Sequence, residues 1–203
     1  TGIQWMQFIP DTWQSDKIRN IFHFSKEKIG EAKDQKVLSL TQTGLKIRDT
    51  SKNEGQLPDS FDKYAIVRVG DIVMNPMDLI TGWVDKSIYE GIISPAYFIL
   101  RPKKNYEKYT DVFLIQLQRF YLEKIFLPYG KGVSYDYRWT LQPEKMGDFE
   151  LVYPPEKDIQ KFLQDLNIVL RNEKELLKLY KELQEMTKSR IISIMSNSFN
   201  YEK

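Results

Sequence analysis

The hydrophobic pattern of the chain changes character once, at Pro154-Pro155. Before that point, short β-branched and aromatic runs alternate with Gly, Pro and Asp, as in residues 64–74 and 91–100. Such runs predict strands joined by tight connections. After it no Gly or Pro occurs, and apolar residues recur every three or four positions. The pattern therefore predicts a strand-containing domain over residues 1–153 and one long helix within 154–203.

The predicted domain is organised around residues 64–100. Gly70-Asp71 separates two apolar strands and forces a sharp reversal, while Ser94-Pro95 sets the start of a later strand. Apolar spacings of three and four predict a helix over 105–127. The segment that follows Trp13 is predicted to form a short amphipathic helix, with Trp13 as a core anchor.

The C-terminal segment follows a heptad pattern in which eight of eleven seam positions are apolar or Tyr; the others are Glu173, Thr187 and Arg190. A helix of about 40 residues would be about 60 Å long, and the chain has no second helix of comparable length to cover its stripe. We therefore predict that it pairs with another helix. The predicted contact residues are Ile159, Phe162, Leu166, Val169, Leu176, Tyr180 and Leu183.

The composition is that of a soluble globular protein, with 41% hydrophobic and 29% charged residues among 203. No apolar run approaches the roughly 20 residues that span a bilayer, so we expect a cytoplasmic protein without a membrane partner. The absence of cysteine excludes disulfides and thiolate metal sites, and the single histidine, His23, leaves little for histidine-based chemistry. A net charge of +2 means that any DNA-binding face must arise from local clustering of cations.

Two segments, 37–48 and 128–140, combine glycine with cations and hydrogen-bonding side chains. Glycine lets backbone approach a phosphate, tyrosine stacks, and Lys or Arg supplies charge. An ordinary solvated hairpin and an aromatic loop packing on its own domain would account for the same residues. The candidate DNA-contacting residues are Thr41, Gln42, Thr43, Lys46, Arg48, Lys131, Ser134, Tyr135, Tyr137 and Arg138.

Two catalytic patterns are only partly met. Asn75-Pro76-Met77 lacks the second proline and the aromatic residue of the amino-methyltransferase motif, and no Gly-rich loop suits adenosylmethionine. Pro10-Asp11 with Glu31-Ala32-Lys33 formally fits the Pro-Asp and Glu-x-Lys pattern of metal-dependent nucleases, but Glu31 and Lys33 fall in a predicted polar loop. A nuclease with a coiled-coil tail and a coiled-coil protein-interaction adaptor stay open as alternatives.

Several short motifs, taken in order, resemble the target-recognition domain of type I restriction-modification specificity subunits. They are Gly2-Ile3-Gln4-Trp5, Leu38-Ser39 with Gly44, Val69-Gly70-Asp71-Ile72-Val73, Gly91 to Tyr97, Gly132 with Arg138, and the diproline before the helix. The resemblance implies an α/β (α+β) domain with a small mixed or barrel-like sheet and a long C-terminal coiled-coil helix. It also implies a non-catalytic DNA-recognition subunit without cofactor or metal.

Subunits of that family carry two recognition domains, each followed by a long helix, and the helices pack antiparallel as a spacer. Each domain reads one half of a bipartite duplex DNA site. The subunit bridges methyltransferase subunits, and nuclease-translocase subunits can join. This chain resembles half of such a subunit, which implies a homodimer through the helix. It departs from the pattern at the helix start, where Pro154-Pro155 run directly into Glu156 without the usual Glu-Gln pair, about three residues shorter.

Overall fold

The computed structural model describes residues 5–6, 8–30, 35–49, 60–133 and 138–199, with backbone only at 133, 138 and 196–199. The chain divides into two compact units, Thr1–Pro155 and Glu156–Lys203. In chain order the elements are β1 (Gln14–Lys17), α1 (Ile18–Ile21), β2 (Phe22–Phe24), β3 (Leu38–Thr41), β4 (Gly44–Ile47), β5 (Ala65–Val67), β6 (Ile72–Met74), β7 (Val84–Lys86), β8 (Gly91–Ile93), β9 (Phe98–Pro102), α2 (Thr110–Leu122), β10 (Lys131–Val133), β11 (Arg138–Thr140), α3 (Pro143–Asp148), β12 (Glu150–Tyr153) and α4 (Ile159–Phe199).

The strands of the first unit form small antiparallel sheets. Four strands pair in the order β2-β9-β6-β7, and the remaining described strands form the pairs β1-β12, β3-β4, β5-β8 and β10-β11. A parallel bridge from Val37 to Ile92 joins the approach to β3 with β8. The predicted α+β architecture, with small sheets followed by a long C-terminal helix, is confirmed.

The predicted reversal at Gly70-Asp71 carries the chain from one sheet to another. β5 pairs with β8, whereas β6 pairs with β7 and β9. Gly70 has a φ of +91°, a left-handed conformation that side chains other than glycine rarely adopt. The turn therefore depends on glycine. The buried β-branched residues before it belong to the β5–β8 pair, and those after it belong to the four-stranded sheet.

Asp71 anchors this turn from inside. Its side chain is only 2% exposed and accepts two hydrogen bonds from Arg101, from Nε and Nη2, each 2.9 Å long. The Arg68 backbone N–H donates to the same carboxylate at 2.9 Å. Glu27, on the outer side, pairs with both Arg68 and Arg101. Hydrogen bonding to Asp71, opposed by burial, raises the pKa of Arg101, so the guanidinium stays charged.

The segment after Trp13 differs from its prediction as an amphipathic helix. Only Ile18–Ile21 are helical, and they lie between strands β1 and β2. Residues Phe22–Phe24 pair with β9, and such cross-strand pairing outweighs the weak helical preference of a segment this short. The predicted core anchor, Trp13, is half-buried, as is Trp5. The Trp5 ring packs against Phe149, with ring centroids 4.7 Å apart.

Helix α2 is shorter than the predicted span of 105–127. A 3-10 helix occupies Lys104–Tyr109, and the α-helix ends at Leu122 because Lys124 adopts a φ of +57°. The predicted apolar face is present, with Phe113, Leu117 and Phe120 fully buried. The periodic apolar residues of the predicted helix are therefore buried in the core. The end of the helix is set by the chain reversal that follows it.

Gln116 of α2 completes the hydrogen bonding of strand β12. Its amide Nε2 donates to the Val152 carbonyl at 2.8 Å, and its Oε1 accepts from the Val152 N–H at 2.9 Å. Nε2 also donates to the Val112 carbonyl at 3.0 Å. Gln116 is 8% exposed, so water has little access to these groups. The side chain therefore pairs with β12 as a neighbouring strand would.

We expect Gln116→Leu to lower the free energy of unfolding by about 2–6 kcal/mol. Leucine fills a similar volume but leaves the Val152 N–H and C=O unpaired in the interior, at about 1–3 kcal/mol each. Urea denaturation of the full chain measures the loss. The matched control is Gln118→Leu on the same helix, since Gln118 is half-buried and donates one longer bond of 3.3 Å to Val84. Equal effects of the two substitutions would contradict this role of Gln116.

The second unit is dominated by α4, whose 41 residues make it about 60 Å long. Its seam residues Val169, Leu176, Tyr180 and Leu183 are each between 59% and 67% exposed. Phe162 and Leu166 are half-buried, and Ile159 is buried. Among the described residues, no helix is both long and apolar enough to cross a bilayer. The exposed leucines and tyrosine of α4 therefore form an apolar stripe on the surface of the helix.

Candidate nucleic-acid interface

The first candidate segment is the turn between β3 and β4. The Thr41 hydroxyl donates to the Gly44 carbonyl at 2.9 Å and accepts from the Thr43 N–H at 3.2 Å. Gly44 has a φ of +109°, and a Cβ there would lie 2.6 Å from an Asp85 carboxylate oxygen. The same oxygen accepts the Leu45 N–H at 2.8 Å. Glycine is therefore required, and the turn holds the exposed side chains of 41–43 in a defined place.

The two cations of this segment lie away from the turn. Lys46 is exposed on β4 opposite Ser39. Arg48 follows the strand at the open end of the hairpin, where its N–H donates to the Val37 carbonyl at 2.8 Å. Four residue pairs separate it from the turn, about 13 Å at the rise of a strand. Arg48 is instead close to Tyr97; burial raises the pKa of Tyr97, the nearby Tyr64 adds to this, and Arg48 opposes it.

The second candidate segment includes the hairpin of β10 and β11. Lys131 is exposed and pairs with Thr140, and Gly132 lies opposite Trp139. The Trp139 ring covers Gly132, with ring carbons 3.5 Å from the position of a Cβ. Ser134, Tyr135 and Tyr137 lie outside the described residues, as does the side chain of Arg138. Of the candidates here, the structure therefore places Lys131 completely and Arg138 by its backbone.

Residues 75–83, here called the bridging loop, touch both hairpins. On one side, Gln42 Nε2 donates to the Thr81 carbonyl at 3.1 Å. On the other, the Leu141 N–H donates to the Pro76 carbonyl at 2.8 Å, and a Cβ at Gly130 would lie 2.8 Å from Leu79 Cδ1. The loop thus connects the two segments that the sequence singled out separately.

The bridging loop is held by its own hydrogen bonds. The Asp78 carboxylate accepts from the N–H groups of Ile80 and Thr81, at 3.0 and 2.8 Å, and from the Thr81 hydroxyl. Burial alone would raise the pKa of Asp78, but these bonds outweigh it and lower the pKa, so the carboxylate stays charged near neutral pH. Lys124 donates to the Ile80 carbonyl, and Tyr121 to that of Asn75.

Sequence reasoning missed this loop as part of the candidate surface. Gln42, Thr81 and Lys124 line a recess of about 320 Å³ that offers both donors and a positive charge. The signal that could have found it is Asp78 followed by Thr81-Gly82, since an Asp side chain three residues before a Thr-Gly pair often caps a tight turn. Lys124 carried no such signal, because its position depends on the end of α2.

Among the residues that the structure describes, no metal-holding site for the nuclease alternative is present. There, no group of three His, Asp or Glu side chains is arranged to hold a metal ion. Asp11 is exposed, while Glu31 and Lys33 lie outside the described residues.

Solved structures with a similar fold come from type I restriction-modification systems. The S subunit from M. genitalium aligns with 87% of this chain at a TM-score of 0.54 and 12% identity, and HsdS from Thermoanaerobacter tengcongensis with 83% at 0.51 and 11%. A chain from a study of complex assembly and conformational transition of the type I R-M system aligns with 85% at 0.53 and 12%. This chain therefore has a fold like that of part of a type I specificity subunit.

The specificity-subunit fold is shared over most of this chain but only part of the solved ones. The chain spans 40–43% of the length of those three proteins. No known family model matches the sequence, and no curated protein matches it. The fold is therefore recognised through the course of the backbone, and the predicted resemblance to specificity subunits is confirmed at that level.

Proposed function

We propose that this chain is a non-catalytic DNA-recognition half of a type I specificity subunit. The observation that carries the proposal is the specificity-subunit fold, which the solved structures share over 83–87% of this chain. This chain consists of a strand-rich unit and a second unit that contains a 41-residue helix. Its recognition unit, residues 1–153, reads one half of a bipartite duplex site. Its helix within 154–203 serves as spacer and dimerisation element, and no cofactor or metal is needed for either task.

The face toward DNA is proposed to consist of the β3–β4 turn, the bridging loop and the β10–β11 hairpin. Exposed Thr41, Gln42 and Thr43 supply donors and acceptors that suit base edges or phosphates. Lys46 and Lys131 are exposed and carry unburied charges suited to phosphate contacts. The bridging loop supports this proposal because it ties the two hairpins together.

The proposed partner of α4 is a second copy of the same helix running antiparallel. A parallel pair would place Glu173 beside Glu173 and Arg190 beside Arg190 on the seam, which is unfavourable. An antiparallel pair sends the two recognition units to opposite ends of a spacer about 60 Å long. Because a two-fold axis relates identical units, the two half-sites are inverted repeats.

Methyltransferase subunits are the proposed partners that act on the bound DNA, and a nuclease-translocase subunit can join them. The S subunits that share the fold belong to restriction-modification assemblies, which supports this assignment. The test is co-expression of the full chain with its methyltransferase subunit, followed by sequencing of methylated host DNA. We expect a bipartite motif with inverted halves and a constant unread gap. A motif with unlike halves would show that the natural partner helix belongs to another chain, and no chain-dependent methylation would overturn the proposal.

We expect alanine substitutions on the proposed DNA face to separate into two classes. Lys46→Ala and Lys131→Ala should weaken all duplexes alike and lower the slope of log affinity against log salt by about one each. Arg138→Ala should weaken the cognate duplex by about 1–3 kcal/mol and relax preference at one position. Titrations of labelled duplexes at several salt concentrations measure both effects.

The matched control for these substitutions is Lys104→Ala, which removes an exposed lysine from a 3-10 helix outside the proposed face. Its affinity and salt slope should equal those of the unmodified chain. If Lys46→Ala, Lys131→Ala and Arg138→Ala all bind like the control, the DNA face lies elsewhere on the recognition unit.

A further inference from the structure

A small apolar pocket, here called the Tyr97 pocket, opens beside the start of β9. Phe24, Tyr97, Phe98 and Ile99 contribute to its lining, and its volume is about 300 Å³. The Phe24 and Phe98 rings meet edge to face with centroids 5.7 Å apart, so this wall is preformed. The volume lies at the lower limit for ligand pockets and suits one large side chain better than a long ligand.

Three lysines, Lys26, Lys28 and Lys63, also line the pocket, and all are exposed. Within the described residues, none of them forms an ion pair. Glu27 lies between two of them in sequence, but its carboxylate pairs with Arg68 and Arg101. The Glu27 carboxylate is therefore engaged in the Asp71 network. Arg48 adds positive charge on the side of Tyr97.

The chemistry of the lining discriminates between possible occupants. A nucleobase carries several donors and acceptors on its edges, whereas the polar side-chain groups of the lining are two hydroxyls, of Ser25 and Tyr97, and the ammonium groups of the exposed lysines. An aromatic or large aliphatic side chain makes no such demand and gains from burial against Phe24 and Phe98. The lysines around it complement carboxylates placed on either side of that side chain.

We propose that the Tyr97 pocket docks an acidic segment of a partner protein, which inserts one aromatic or large apolar side chain and pairs its carboxylates with Lys26, Lys28 and Lys63. The arrangement is that of an interface hot spot, an apolar anchor in a pocket surrounded by polar contacts. The inference does not rest on DNA recognition, because none of these lysines belongs to the proposed DNA face.

The test uses the full chain and fluorescein-labelled peptides. The probe is Gly-Asp-Glu-Trp-Glu-Asp-Gly, compared with a peptide that has Ser in place of Trp and one that has Lys in place of the four acids. In anisotropy titrations we expect the Trp peptide to bind at least about tenfold more tightly than the Ser peptide. Its affinity should fall with added salt, and the basic peptide should not bind.

Substitutions of residues that line the pocket test whether the peptide binds there. Lys28→Glu and Lys63→Glu should each weaken the acidic Trp peptide by about tenfold or more, and the double variant should gain affinity for the basic Trp peptide. Lys104→Glu is the matched control and should change neither. Tyr97→Ala should weaken the Trp peptide while leaving the Ser peptide unchanged, and thermal unfolding by circular dichroism confirms that each variant is folded.

Three results would overturn the proposal. Equal binding of the Trp and Ser peptides would mean that surface charge alone attracts the probe. Displacement of the probe by adenosine monophosphate would assign the pocket to a nucleotide, and displacement by short duplex DNA would make it part of the DNA face. If Lys46→Ala or Lys131→Ala loses duplex binding while peptide binding is unchanged, the peptide site and the DNA face are separate. This inference and the proposed function can then be judged independently.

Discussion

Leu176→Glu combined with Leu183→Glu is expected to convert a dimer of this chain into a monomer. Both leucines are about two-thirds exposed on the isolated helix, so the substitutions leave each chain folded but place carboxylates in the proposed seam. Four buried leucines are lost per dimer. At about 1.5 kcal/mol each, the loss is about 6 kcal/mol, or about four orders of magnitude in the dimer dissociation constant.

Sedimentation or light scattering measures the mass across a range of concentrations. Lys181→Glu is the matched control, because Lys181 lies between the seam residues Tyr180 and Leu183 on the same helix but is not itself a seam position. It should leave the dissociation constant nearly unchanged. An unmodified chain that is monomeric at high concentration, with and without its methyltransferase subunit, would refute the helix pairing.

A charge exchange tests the direction of pairing. If residues 156–196 pair antiparallel, the centre falls near Leu176, so that Val169 of one copy faces Leu183 of the other. Val169→Glu chains mixed with Leu183→Lys chains should then form a heterodimer, while each variant alone pairs weakly. In a parallel pair the introduced glutamate would face Val169 and the introduced lysine would face Leu183, so the mixture would form no ion pair.

Asp71→Ala is expected to lower the free energy of unfolding by about 3–5 kcal/mol, the range for removing one partner of a buried ion pair. The carboxylate is almost fully buried, so solvent screens its bonds to Arg101 very little. Its removal leaves the guanidinium without its inner partner and the Arg68 N–H without its acceptor. Urea denaturation of the full chain gives the value.

Glu27→Ala is the matched control, because Glu27 pairs with the same arginines from a side chain that is 42% exposed. Exposed pairs contribute about 0–1 kcal/mol, so the control should be mild. A double variant, Asp71→Leu with Arg101→Leu, should recover part of the stability lost in Asp71→Ala, because no buried charge is left unpaired. If Asp71→Ala costs no more than Glu27→Ala, the buried pair contributes little.

The separation of Arg48 from the β3–β4 turn shows where sequence reasoning about the site stopped. Along the chain, Thr41 and Arg48 are neighbours in one basic, glycine-containing segment. In the hairpin they lie at opposite ends, because each residue pair adds about 3.3 Å between the turn and the open end. Arg48 consequently lies near Tyr97, while Gln42 contacts the bridging loop.

The short strands show a second limit. The pattern of β-branched residues indicated strands at Ala65–Val67 and Ile72–Met74, but their partners β8 and β9 lie 24 to 28 residues further along the chain, and the second strand also pairs with β7, 10 to 14 residues further along. Three-residue strands with buried residues on both faces carry little information about register or partner. The same limit explains the missed strand at Phe22–Phe24, whose pairing with β9 lies about 80 residues away.

The sequence by itself determined the features whose signal is local. These are the long helix after Pro154-Pro155, the buried face of α2 and the glycine-dependent turns at Gly44 and Gly70. Helical periodicity and left-handed turns depend on residues a few positions apart, so the chain shows them directly. Only the tertiary structure decided the Gln116 bonds to β12, the Asp71–Arg101 pair, the bridging loop between the hairpins and the lysines around the Tyr97 pocket. Each joins residues separated by 30 or more positions or combines several elements, and such contacts are selected by packing of the whole unit rather than by any local preference.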